Sequence, residues 1–71
     1  MTKDVLSFIV YMIHACANKW GVSPSVVYKK MQTANCITNF LVPNYEILHT
    51  QSTQYIVEDI NDYLNARGIL V

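Results

Sequence analysis

From Lys3 to Trp20 the apolar residues recur with helical spacing. On a wheel of about 100° per residue, Val5, Ile9, Met12 and Cys16 share one side, flanked by Phe8, Ile13 and Trp20. This side is the expected core face. Lys3, Ser7, His14 and Asn18 form a narrow polar stripe opposite, which leaves Leu6, Val10 and Ala17 on an apolar shoulder that one small domain is not expected to cover. A helix apolar nearly all round is either central or shared with a partner. Gly21 is its natural stop, because glycine enters the left-handed region without a Cβ clash.

The next boundary is the clearest. Ser23 suits an N-cap, Pro24 the first helical position, and Val22 can staple onto Val27 across the cap. The second helix is expected over 24–33, burying Val27, Met31 and Tyr28 or Ala34 while exposing Lys29, Lys30 and Gln32, with Asn35 as a left-handed stop. Residues 36–42 are a short apolar run that fits a strand or a helical turn. A lone strand would have no partner, so a short helix or 3₁₀ turn is preferred. Pro43 should break it and bias Val42 away from the α region. Asn44 can then cap a short helix over 45–50, with Glu46 in its first turn.

Ser52 caps the last expected helix, 53–67, where Ile56, Val57, Ile60 and Leu64 line one face with Tyr63 beside them and Glu58, Asn61, Asp62 and Asn65 lie opposite. Gly68 at C′ and Ile69 at C″, placed to touch Leu64, form the signature of a Schellman stop. Ile69, Leu70 and Val71 make an apolar tail that docks on the core or extends an interface. The pattern as a whole predicts an all-α fold: one domain over residues 1–71, a four-to-five-helix bundle with orthogonal or irregular packing.

Composition changes this picture in one respect. A chain of 71 residues buries only about 60% of the surface its unfolded form exposes. Yet 52% of its residues are apolar and only 14% charged, so some apolar side chains are expected to cover a second copy or a cognate protein. Leu6, Val10, Tyr11, Ile69, Leu70 and Val71 are the candidates for that interface. The net charge is zero, which gives no global field toward nucleic acid or an anionic membrane. The charges are sorted, however. Residues 1–35 carry four lysines against Asp4, a net of +3, and residues 36–71 carry Arg67 against Glu46, Glu58, Asp59 and Asp62, a net of −3. Two solvated faces explain this pattern, as does steered or head-to-tail association.

Candidate chemistry is sparse. Cys16 and Cys36 lack the density of a disulfide scaffold and match no zinc spacing, so buried, reduced thiols in the cytoplasm are expected. His14 and Cys16 sit two apart on a helix and diverge, so no metal, cofactor or small-molecule substrate is inferred. The apolar run 5–17 is too short to span a bilayer and lacks the flanks of a signal peptide. His49, Ser52 and Asp59 are the residue types of a nucleophilic triad, but no nucleophile turn surrounds Ser52, and no enzyme is expected. Lys29 and Lys30 beside Tyr28, on a segment from Ser23 to Met31 that imitates the second helix of a helix-turn-helix, keep a small DNA-binding transcriptional regulator as the alternative. The five tyrosines suit core edges and interfaces. Tyr11, beside the polar stripe, is nominated for contact.

The stretch Tyr45-Glu46-Ile47-Leu48-His49-Thr50-Gln51-Ser52, followed by Tyr55-Ile56-Val57-Glu58-Asp59-Ile60 and Tyr63-Leu64, resembles the short bacterial proteins grouped as domain of unknown function 3791. The resemblance extends more loosely to the opening helix and to Val22-Ser23-Pro24, and departs at Pro43-Asn44. It implies no established activity. It does imply a chain encoded near small proteins of the ADP-ribosyltransferase superfamily, and thus an accessory or antitoxin-like partner. The matching positions are Leu48, His49, Thr50, Gln51, Asp59 and Ile60. They suggest a buried network in which Thr50 and Gln51 satisfy backbone groups while His49 bridges to Asp59, or else a recognition spot.

Overall fold

The computed structural model describes residues 1–70 and contains helices and no strand among them. The first helix, α1, is Lys3–Trp20. Thr2 caps it by accepting the Val5 N–H at 3.2 Å, and Gly21 ends it at φ 69° while the Val22 N–H reaches back to the Ala17 carbonyl at 3.1 Å. The second, α2, is Pro24–Thr33, capped by Ser23 and stopped by Asn35 at φ 54°. The chain bends by 110° between them. Orthogonal packing follows from that corner, with α1 lying against both α2 and the last helix.

Residues 36–42 resolve as helix, not strand, wound wider than a 3₁₀ turn. Ile37–Leu41 is a π-helical turn closed by the Val42 N–H onto the Ile37 carbonyl at 2.9 Å. Two local expectations fail here. Val42 stays in the α region at φ −65°, ψ −50° despite the following proline, since its N–H is held by that wide-turn bond and Leu41 before it is buried. Asn44 does not cap with its side chain. Its Nδ2 turns back to donate to the Phe40 carbonyl at 2.8 Å, which also receives the Asn44 N–H. The next helix, α3, is Tyr45–Leu48, shorter than the expected 45–50.

The last helix, α4, is Thr53–Ala66, with Ser52 accepting the Tyr55 N–H at 3.2 Å. Arg67 is its cap, one residue short of the expected end. The Schellman stop forms as the residues require: the Ile69 N–H donates to the Leu64 carbonyl and the Gly68 N–H to that of Asn65, both at 3.0 Å, with Gly68 at φ 78°.

The core gathers Ile9, Met12 and Cys16 of α1, Val27 and Met31 of α2, Leu41, Leu48, and Ile56, Ile60 and Leu64 of α4. One shoulder assignment changes, and one open alternative closes. Ala17 is buried, because the 110° corner brings α2 over the end of α1. Tyr28 is exposed, and Ala34 takes the inward place offered to either of them. Tyr63 ties the layers together: its ring stacks on Phe40 at 5.0 Å, its hydroxyl donates to the Ala34 carbonyl at 3.2 Å, and the Arg67 guanidinium sits 3.5 Å from its ring centroid. No single helix is long and apolar enough to cross a membrane among the described residues.

Candidate interaction surface

The His-Thr-Gln segment lies at the junction of α3 and α4, where the side chains of His49 and Thr50 turn back onto carbonyls of the preceding turn. His49 Nδ1 donates to the Tyr45 carbonyl at 2.9 Å and its ring stacks on Tyr45 at 4.6 Å. A carbonyl only accepts, so Nδ1 carries the proton. Thr50 Oγ1 donates to the Ile47 carbonyl at 2.7 Å. These bonds close within α3. The expected bridge from His49 to Asp59 is corrected: His49, Thr50 and Gln51 are exposed and no buried network joins them to Asp59. The physical reason is proximity: the Tyr45 and Ile47 carbonyls lie one turn from these donors and, beyond the backbone N–H each already accepts, have a second lone pair to offer. Tyr45 in turn meets Phe8 edge-on at 5.3 Å, which anchors α3 to α1.

The interface candidates divide. Leu6 and Val10 are exposed, at 53% and 47%, one turn apart on α1. Tyr11 is also exposed but is engaged, its hydroxyl 2.7 Å from Thr53 Oγ1 in a bond between α1 and α4. Ile69 packs against the core, as the Schellman contact requires, and Leu70 projects outward at 77% exposure. Lys30 Nζ donates to the Leu70 carbonyl at 2.7 Å, so that lysine is half-buried and fixed to the tail. Val71 lies outside the described residues.

The two thiols are fully buried. Desolvation pushes Cys16 up to about 12, with the neighbouring Cys36 adding to the effect. Desolvation likewise pushes Cys36 up to about 12 against the opposing charge of Arg67. Both are therefore neutral core groups at physiological pH.

One feature escaped the sequence pattern. Beyond Tyr11 and Thr53 an open groove of about 680 Å³ runs between α1 and α4, continued toward Trp20 and Leu70 by a second hollow of about 520 Å³. Lys19, Val57 and Glu58 line both. The signal was present as the spacing of Gln54, Val57, Glu58, Asn61 and Asn65, which places carboxamides beside an apolar residue on one stripe of α4.

These features define a small all-α bundle whose junction side chains serve its own backbone. The chain belongs to the family described as protein of unknown function (DUF3791), whose model matches residues 7–67. No curated protein and no solved structure matches it.

Proposed function

We propose that this chain is a non-enzymatic interaction module in the cytoplasm, homodimeric or bound to a cognate protein through the Leu6–Val10 shoulder of α1 and the Leu70 end of the tail. The observation that supports this most is the exposure of Leu6 and Val10 on a helix whose other faces are committed to core or polar stripe. The exposed, stacked ring of His49 fits this reading better than catalysis, which would set it in an enclosed pocket with a shifted carboxylate. The accessory or antitoxin-like role implied by the family resemblance makes the product of the neighbouring gene the first partner to try.

Size-exclusion chromatography with light scattering is expected to show a dimer, or a stable complex with that product. Leu6→Glu with Val10→Glu should abolish the assembly while shifting the unfolding free energy by no more than about 0.5 kcal/mol, as exposed substitutions do. A monomer that ignores the neighbouring product rejects the proposal.

A second reading rests on the corner itself. Two helices meeting at 110° across a short turn with Gly21 in the left-handed region resemble a helix-turn-helix. In that case α2 would enter the major groove and meet phosphates with the exposed Lys29, and with Lys30 once its ammonium leaves the Leu70 carbonyl. Salt-dependent retardation of promoter DNA, abolished by charge reversal at both lysines, is the expected result. No shift at low salt ends this alternative.

A further inference from the structure

We propose that copies of this chain associate head to tail, with Ile47 of one copy seated among Lys3, Leu6, Ser7 and Val10 on α1 of the next. The contact rests on the reading of Leu6 and Val10 as an interaction surface and names what covers them. On a helix, residues at i, i+3, i+4 and i+7 frame a hole that takes one side chain of a facing helix. Lys3, Leu6, Ser7 and Val10 have that spacing, and all four are exposed. Two corners of the hole are aliphatic and one is cationic, with no carboxylate among them.

The matching side chain is on α3. Ile47 is 66% exposed, the highest value among the large apolar residues within the helices. The single turn of α3 buries Leu48 and sets Tyr45 against Phe8, which leaves Ile47 facing solvent. Glu46 beside it is also exposed and carries the charge opposite to that of Lys3. Hole and side chain do not meet within one copy. The anchor of α3 is Phe8, which lies about 160° around α1 from both Leu6 and Val10.

Each copy therefore offers the hole on one side and Ile47 on the other, and a contact between them is heterologous. The sorted charges favour the same arrangement. Residues 1–35, with α1 and α2, carry a net of +3, and residues 36–71, with α3 and α4, a net of −3. Copies stacked in one sense bring opposite signs together, whereas a two-fold pairing of shoulder on shoulder brings two positive halves together.

The test is complementation between two variants of the full chain, read by sedimentation velocity over a concentration series. The parent is expected to gain mass with concentration and to pass the dimer. It should do so less at about 1 M salt, where the screening length is about 3 Å. Leu6→Glu spoils the hole and keeps Ile47, while Ile47→Asp removes the inserted side chain and keeps the hole. Each variant should be monomeric alone, and the two mixed should form a one-to-one pair that grows no further. Lys3→Glu sets two carboxylates together and should weaken association about tenfold, and adding Glu46→Lys to the same chain should restore it. All these sites are exposed, so the melting temperatures should stay close to that of the parent. A parent that stays monomeric or stops at a dimer, or mixed variants that do not pair, overturns the head-to-tail contact. Binding of the neighbouring gene product alone, or a dimer lost in Leu6→Glu and kept in Ile47→Asp, overturns it while leaving the shoulder as the interaction surface. Assemblies that survive Leu6→Glu together with Val10→Glu overturn both.

Discussion

Leu64→Ala is expected to remove about 2–5 kcal/mol of stability, the range for truncating a leucine in a core that cannot collapse around the gap. Leu64 is 0% exposed and packs in the central cluster with Met12, Met31 and Ile60. Its carbonyl also anchors the Ile69 N–H and the Arg67 N–H, so relaxation there would disturb the stop of α4. A chain of 71 residues has a total stability of about 4–11 kcal/mol at the usual value per residue. The substitution should therefore take a large share of it. Urea unfolding followed by Trp20 emission will show the midpoint collapse, and a variant that unfolds within about 0.5 kcal/mol of the parent contradicts the packing described. Leu6→Ala is the contrast, because an exposed leucine removed from the same chain should change little.

Alkaline pH should destabilise the fold through its thiols. Cys16 and Cys36 are raised from 9.0 to about 12 in the folded chain. Between those values the unfolded chain has lost its thiol protons while the folded chain keeps them. The folded state then binds more protons, so stability falls as pH rises. The contribution is whole below pH 9.0, declines from there, and is gone above about 12. The limiting slope is about 1.4 kcal/mol per pH unit for each thiol. The informative quantity is a difference: Cys36→Ala should flatten the loss of stability between pH 9 and 11 relative to the parent. An unchanged slope would mean that Cys36 ionises as readily folded as unfolded. The same burial predicts that neither thiol reacts with a disulfide reagent at pH 8 until the chain is denatured.

Helix boundaries were legible because the groups that set them are local. Ser23-Pro24, Ser52, Gly21 and Gly68 act through their own side chains or their own φ, and each capped or stopped its helix as the residues require. The Leu64–Ile69 stop was legible for the same reason. Around Pro43 local rules conflicted with a buried Leu41 and a wide-turn hydrogen bond, and the tertiary context prevailed at Val42 and Asn44. The proposed His49–Asp59 bridge failed because a recurring polar trio carries no record of which carbonyls are nearest.

The sequence by itself determined the all-α class, the ends of α1, α2 and α4, the core stripe and the family, since periodicity and capping are properties of neighbouring residues. Only the tertiary structure decided which shoulder of α1 is covered. Ala17 is buried by the 110° corner, while Leu6 and Val10 stay exposed. It also revealed the groove between Tyr11 and Thr53, because a groove exists only between elements and its walls, on α1 and α4, lie more than thirty residues apart.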